Sequence, residues 1–350
     1  MKEAVSIKFS LRNVKERKEI ARTLIEPLLK AKRDHSLVKI YDRIAPGPNG
    51  RSHTTLSPDT STFRFSSGES DLFPNSTNWQ NIPKKVTALD PLYKARDCVI
   101  ADEGHTLIAV DYSGAEAVLA AAYSRDWEFL DKLLAGADVH SEHAQLFNNV
   151  SKEDWDARGG KSDPQLGSLR NVAKNVTYAS LYMASPFRIT ETINKDSHIT
   201  GIRITQDEVI QARNVLLQLH PLERWWEETR LELEQTGGVT RNCFGYRRVF
   251  RDPDSHGRLK DALSNYPQST VAWLMNQTIL TLEHTPFPGE LLLQIHDELF
   301  FQCPTHQTEE LRAIVSPLML QPFTIKGREL YIPIEWKAGE RWGIMKAITH

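Results

Sequence analysis

The stretch Thr106-Leu107-Ile108-Ala109-Val110-Asp111-Tyr112-Ser113-Gly114-Ala115-Glu116 decides the fold reading. A short apolar run, Thr106 to Val110, reads as a buried strand, and the alanine-rich run from Gly114 to Tyr123 reads as a helix. Asp111 sits where the strand ends, so its carboxylate is held by rigid backbone. Ser113-Gly114 allows a tight strand-to-helix turn, which places Glu116 on the first turns of the helix. Taken alone, the same residues are read more readily as a helix cap beside a surface glutamate.

Outward from that stretch, a second helix covers Ser124 to Leu134, and a long one runs from Ser168 to Phe187. Residues 206–235 give one or two helices broken near Pro221, and Val239 to Phe250 gives a hairpin bent at Gly245. A helix over 266–284 precedes two strands between Leu291 and Cys303, then another helix and a final strand at 329–336. This order has no βαβ rhythm. It predicts an α+β protein: an antiparallel sheet backed by helices, with a mostly helical insertion between 124 and 260.

The chain has 350 residues, 43 Lys+Arg and 45 Asp+Glu, for a formal charge of -2. That near-neutral total conceals an asymmetry: residues 1–50 carry 12 basic against 6 acidic side chains, and 51–350 carry a net -8. The basic segment reads as a charged helix over 13–33, with Leu24, Ile25, Leu28 and Leu29 as its apolar stripe. A Ser/Thr-rich run from Ala45 to Ser76 reads as a linker or functional loop. The three cysteines form no C-x-x-C pair, which argues against a zinc site or a disulfide framework. No run approaches 18 apolar residues, so a membrane span is not expected.

Four constellations carry chemistry. Asp111 with Glu116 is the first. The second is His296-Asp297-Glu298, a polar tip between two apolar strands. If the fold brings Asp111 beside Asp297, the pair suits Mg²⁺, which prefers oxygen ligands and leaves coordination positions for phosphates. In the third, Arg170, Lys174, Tyr178 and Tyr182 recur every four residues and share a helix face. Two cations followed by two aromatic rings suit a triphosphate with a base or sugar beside it. The fourth is the basic cluster Arg241, Arg247, Arg248, Arg251, Arg258 and Lys260, a local net of +4 over 239–260 that suits a phosphate backbone or a solvated face.

In this order the segments resemble the polymerase domain of family A DNA polymerases, the bacterial polymerase I and phage T7 type. Asp111 to Glu116 resembles motif A, D-Y-S-Q/G-x-E-L-R. Arg170-x3-Lys174-x3-Tyr178-x3-Tyr182 resembles motif B, and His296-Asp297-Glu298 resembles motif C. Arg64, Ser66 and Ser67 with Asn78-Trp79-Gln80-Asn81-Ile82-Pro83, then Asp138-Val139-His140, and Asn265-Tyr266-Pro267-Gln268 resemble three further stretches of the family. The resemblance covers roughly 35–345.

It implies a right-hand polymerase: 1–50 as a thumb remnant or partner-docking helix, 51–123 and 239–350 as palm, and 124–238 as fingers. Asp111 and Asp297, with Glu298 near them, would hold two Mg²⁺ ions, Mn²⁺ being a substitute. His140, Arg170, Lys174, Tyr178 and Glu116 would bind the dNTP, with Arg170 and Lys174 also serving catalysis. Arg64, Tyr182, Arg241, Asn265, Gln268 and His296 would contact primer-template DNA. The expected reaction is dNMP transfer to a primer 3'-OH with release of pyrophosphate. Proofreading is not expected within the chain. A separate thumb or exonuclease polypeptide, or a processivity factor, is a candidate partner. The implied setting is the cytoplasm of a bacterial or phage-infected cell, or an organelle. A single-subunit RNA polymerase and a non-catalytic subunit of a split polymerase are the alternatives. Glu116 and Asp297-Glu298 count against the first, and the retained Asp111, Asp297, Arg170 and Lys174 against the second.

The chain departs from the family pattern at Phe63, Thr177, Ala179 and Met183, where Gly, Asn, Gly and Gly are usual, and at Val118, where Arg is usual. The bulk at Ala179 and Met183 is expected to alter template-base placement, and Val118 to loosen a supporting salt bridge.

Overall fold

Leu107 to Val110 are all buried because both faces of their strand are covered. That strand, His105–Tyr112 (β1), is longer at both ends than its apolar run suggests. The structure is a computed structural model that describes residues 44, 50–68, 76–82, 95–195, 197, 201–252 and 254–348. The expected basic helix at 13–33 lies outside the described residues, as does most of 1–50.

After β1 come the helices Ala115–Ser124 (α1), Trp127–Leu134 (α2), Val139–Asn148 (α3) and Lys152–Ala157 (α4). Next are Pro164–Leu181 (α5), Pro186–Lys195 (α6), Gln206–Leu219 (α7) and Leu222–Gln235 (α8). A hairpin of Val239–Arg241 (β2) and Arg247–Val249 (β3) leads into the helix Ser255–Glu283 (α9). Strands Glu290–Ile295 (β4) and Glu298–Pro304 (β5) precede helix Thr308–Met319 (α10). The chain closes with Phe323–Ile325 (β6), Arg328–Leu330 (β7), Ile334–Gly339 (β8) and Lys346–Ile348 (β9).

Five strands form one antiparallel sheet in the order β9-β8-β1-β5-β4. Its register places Glu335, Asp111 and Glu298 in one row across β8, β1 and β5, with Lys337, Ala109 and Phe300 in a parallel row. Side chains alternate along a strand, so these rows share a face. The opposite face, with Ile108, Val110, Leu299, Phe301 and Trp336, packs into the main apolar cluster with α1, α9 and α10. The antiparallel sheet backed by helices is thus as expected.

The helical insertion has apolar centres of its own. Val172, Val176, Ile189, Ile193, Val209 and Leu216 form one, and Ala144, Trp155, Leu166 and Ala173 form another. Burying Val172 and Val176 fixes the rotation of α5.

Other boundaries also differ from expectation. Helix α5 begins at Pro164, not Ser168, because Pro at the first turn loses no helical bond and the Asp163 carboxylate accepts the Gln165 and Leu166 amides. It ends at Leu181 rather than Phe187: Met183 turns left-handed at φ 57°, and the Ala184 amide reaches back to the Ala179 carbonyl at 3.0 Å. Helix α9 begins at Ser255, capped by Asp254, and runs through the buried Pro267 instead of starting near it. The expected last strand, 329–336, is two strands, β7 and β8.

The chain divides into two units, Met1–Thr55 with Ser67–Pro83, and Leu56–Ser66 with Lys84–His350. In the first, Ser67 is the hub. Its hydroxyl lies 2.7 Å from the Thr54 hydroxyl and accepts the Trp79 amide at 2.9 Å, while its own amide donates to Gln80 Oε1. The residues considered next all belong to the second unit.

Candidate active site

Two loops bring the acidic residues to one end of the sheet. Asp111 is the penultimate residue of β1, and Glu298 lies opposite it as the first residue of β5. Asp297 occupies the tight β4–β5 turn, where His296 is left-handed at φ 59°. The Tyr112 amide donates to the Asp297 carbonyl at 3.1 Å, which ties that turn to the end of β1. Glu298 is buried.

The two aspartates differ in their surroundings. Asp111 accepts the Lys337 ammonium on both carboxylate oxygens, at 3.1 and 3.3 Å. Asp297 forms no ion pair among the described residues. Burial first, and the Asp111 carboxylate as well, push its pKa above the usual range, against the pull of Arg64 and His296. A carboxylate with no ion pair among the described residues has room for a cation, and Mg²⁺ fits it. Among the described residues no three His, Cys, Asp or Glu side chains make a ready metal cage. An ion here would therefore rest on Asp111 and Asp297 and take its remaining oxygens from substrate and water, as Mg²⁺ does.

Glu116, on the first turn of α1, faces the same space. Burial, with Asp297 adding to it, raises its pKa, while Arg64 opposes the shift. Tyr178 is pushed up to about 12 by burial and by the Glu116 and Asp297 carboxylates. Tyr182 is raised by burial, Glu116 and Tyr178. These mutual influences put Asp111, Glu116, Asp297, His296, Arg64, Tyr178 and Tyr182 in one neighbourhood. Arg64 Nε and the Tyr182 hydroxyl are buried with no hydrogen-bond partner among the described residues. An unpaired buried donor costs about 1–3 kcal/mol, so each has a hydrogen bond left to give.

The cationic end of α5 extends the neighbourhood. Arg170 Nε lies 2.9 Å from both oxygens of Asp138, and its Nη2 lies 2.9 Å from Oδ1. For Asp138, burial would raise the pKa, but the Arg170 and Ser141 hydrogen bonds outweigh it and hold the carboxyl low. Lys174 Nζ stands 5.8 Å from the Tyr178 ring centre, and the His140 ring is 5.4 Å from the same ring. Burial, then Lys174 and Arg170, lower His140 to about 4, so it is neutral at neutral pH. Its Nδ1 is buried with no partner among the described residues.

Arg241, Asn265 and Gln268 form a second group on the hairpin and α9. Arg241 is exposed and donates to the Gly245 carbonyl at 3.4 Å. Asn265 is fully buried and accepts Arg248 Nη1 at 3.2 Å, and Gln268 is half-buried.

Two of the sequence departures have a backbone explanation. Phe63 and Met183 stand where the family usually has glycine, and both are left-handed, at φ 63° and 57°. A side chain there costs about 1–2 kcal/mol. Phe63 offsets this by stacking on Tyr246 at 5.0 Å and meeting Trp273 at 6.0 Å. Met183 packs against the main core. The residue at the usual arginine position, Val118, lies inside the apolar cluster at 1% exposure and adds packing there. Thr177 begins a polar chain through the insertion: its hydroxyl lies 2.9 Å from His143 Nδ1, His143 Nε2 is 3.2 Å from His220 Nε2, and His220 Nδ1 is 2.6 Å from Asp126.

Sequence reasoning missed one residue and the part played by another. Asp138 was visible in the Asp138-Val139-His140 run, but only the fold shows that it grips Arg170. Lys337 gave no signal, because a lysine on a late strand is ordinarily solvated.

A palm-like antiparallel sheet with acidic residues at one end, facing a cationic and aromatic helix, defines the polymerase class of site. The sequence model of DNA polymerase family A matches residues 5–344, and the chain belongs to that family. It is 29% identical over 338 residues to the thermostable DNA polymerase I of Thermus filiformis, covering 92% of this chain and 36% of that protein. It is 28% identical over 322 residues to DNA polymerase I of Treponema pallidum, covering 88% of this chain and 28% of that protein. The chain thus spans about a third of the length of these relatives. Its fold matches the POL domain of Pol1 from M. smegmatis in complex with DNA primer-template and dNTP, with a TM-score of 0.72 and 21% identity over 95% of this chain and 56% of that one.

Proposed function

We propose that the chain carries out template-directed 5'–3' DNA synthesis, adding dNMP from a dNTP to a primer 3'-OH and releasing pyrophosphate. The observation that carries this reading is the convergence of Asp111, Asp297 and Glu116 with Tyr178, on the helix face that also carries Arg170 and Lys174. Residues 51–123 and 239–350 serve as palm, and 124–238 as fingers.

Asp111 and Asp297 would hold two Mg²⁺ ions, or Mn²⁺ in their place. When bound, these supply a lowered pKa at the primer hydroxyl and neutralise charge at the α-phosphate. The chain's own residues do the rest. Arg170 is already oriented by Asp138, and with Lys174 it offers fixed positive charge to the β and γ phosphates. His140 is neutral and offers a neutral ring nitrogen at the same end. Tyr178 packs beside the incoming sugar. Glu116 crowds the 2' position, where an added hydroxyl would meet a partly buried carboxyl. Tyr182, Arg64 and His296 face the primer-template end, and Arg241, Asn265 and Gln268 extend that contact along the hairpin and α9. Phosphate and sugar contacts would dominate it and make binding salt-dependent. Proofreading forms no part of the proposed activity. A partner chain supplying thumb or exonuclease remains part of the reading.

Primer extension by the purified chain, with Mg²⁺ and dNTPs on a primed template, tests it. Extension that Asp111→Asn abolishes is the expected result. Efficient primer-independent synthesis from rNTPs would overturn the reading in favour of RNA synthesis. Unchanged extension by Asp111→Asn would remove the metal role.

A further inference from the structure

Lys337 is the group whose position the proposed mechanism leaves unused. It lies on β8 in the row next to Asp111, two residues beyond Glu335, and shares the sheet face of Asp111 and Glu298. Its ammonium spans both oxygens of the Asp111 carboxylate, at 3.1 and 3.3 Å, and the Glu298 and Glu335 carboxylates also act on it. Both partners are partly screened from solvent: the Lys337 side chain is 26% exposed and that of Asp111 21%. An attraction there is stronger than at an open surface.

An acidic row of Glu335, Asp111 and Glu298 across three adjacent strands is self-repelling, because like charges directly opposite on a sheet destabilise it. The Lys337 ammonium relieves the repulsion at Asp111, while the Arg96 guanidinium acts on Glu298. The ammonium also stands against the carboxylate that the proposed reaction needs for a divalent ion. A lysine is suited to such a double part. Its charge is a compact point on a flexible stem, unlike the planar arginine fork, so it can withdraw without rearranging the strand.

We propose that Lys337 is a positioning residue that acts as a resident counter-ion of Asp111: it keeps the acidic row together before metal arrives, and a divalent cation reaches Asp111 only in competition with it. The inference rests on the reading of Asp111 as a metal ligand. Metal affinity of the free chain is therefore lower than two aspartates alone would give. Loading at Asp111 depends on the extra oxygens that a triphosphate brings.

The test is direct Mn²⁺ binding to the whole chain without nucleotide, followed by the loss of the free-ion signal in electron paramagnetic resonance. Lys337→Met keeps the stem and removes the charge, and Lys337→Arg keeps the charge. Lys337→Met is expected to bind Mn²⁺ about tenfold more tightly, and Lys337→Arg to stay near the parent. In thermal melting, Lys337→Met should lose stability without metal and regain it with Mn²⁺, a pattern that plain loss of packing would not give. Unchanged or weaker Mn²⁺ binding by Lys337→Met, with Asp111→Asn still weakening it, would overturn the role of Lys337 alone. If Asp111→Asn leaves Mn²⁺ binding intact, the metal reading of Asp111 fails and this inference fails with it. Should Lys337→Met fold poorly, Lys337→Gln with a matched circular dichroism spectrum replaces it, with the same outcomes.

Discussion

The sheet end and the helix face of the site both carry a charge already paired with an opposite charge from the fold, but they pair it differently. On the helix, Arg170 meets Asp138 through a planar fork, with contacts of 2.9 Å to both oxygens. On the sheet, Asp111 meets a single flexible ammonium at 3.1 Å. A fork fixes direction, so the Asp138 pair orients Arg170 while leaving part of its donor edge for a phosphate. A point charge on a long stem fixes little and can leave. The contrast suggests that the cationic wall of the site is preset and the acidic wall is exchangeable.

The largest expected effect comes from breaking the acidic wall outright. Asp297→Asn should reduce primer extension by about a thousandfold or more, because Asp297 is the carboxylate of that turn with no ion pair among the described residues. Steady-state extension assays with matched DNA binding check this, and activity within tenfold of the parent would remove Asp297 from the mechanism. Next comes the preset wall. Asp138→Asn frees Arg170 and should lower kcat/KM for dNTP by about ten- to a hundredfold, with primer-template affinity little changed. Asp138→Glu, which retains a carboxylate, should recover part of it.

Glu116→Ala removes the carboxyl proposed to crowd the 2' position. It should narrow the preference for dNTP over rNTP by about a hundredfold, read as the ratio of kcat/KM values. An unchanged ratio would place sugar selection elsewhere.

A smaller effect concerns pH. His140 is held at about 4 and His143 at about 3, each chiefly by burial, against about 6.5 in an unfolded chain. Between those values the unfolded chain binds the protons and the folded chain does not. Stability is therefore full above pH ~6.5 and falls as pH drops towards 4, by on the order of a few kcal/mol. The raised Glu116 and Asp297 act in the opposite direction, in the window that opens above their ordinary carboxylate values, and so offset part of that loss. Urea unfolding between pH 7 and 5 should thus show a slope that His140→Gln makes shallower. Smallest of all is Met183→Gly, which exchanges left-handed strain for lost packing and should move stability by no more than about 1 kcal/mol.

The legible part of the molecule was the part written locally. Asp111 after an apolar run, the tip His296-Asp297-Glu298 and the fourfold spacing from Arg170 are each set by neighbours close in sequence, so a local pattern carries them. The illegible part was paired at long range. Lys337 and Asp111 are 226 positions apart, and only strand register joins them. Asp138 and Arg170, 32 apart, needed the packing of α3 on α5. The first half of α9 was hidden for another reason. Leu259, Ala262, Leu263 and Tyr266 have helical spacing and are buried, but Arg258 and Lys260 between them read as a basic patch, and Pro267 suggested a boundary. Phe63 and Met183 show the reverse case: their departure from glycine was plain in the sequence, and the strain it carries is visible only in the backbone.

The ring stack at Phe63 has an optical consequence. Trp273 lies 6.0 Å from Phe63 and 5.7 Å from Phe244, at interplanar angles of 31° and 15°. Its indole therefore senses the short segment that carries Arg64. In a chain stripped of its other seven tryptophans, leaving one of the eight, emission from Trp273 would report any shift of that segment when DNA arrives, with no label attached to the site itself.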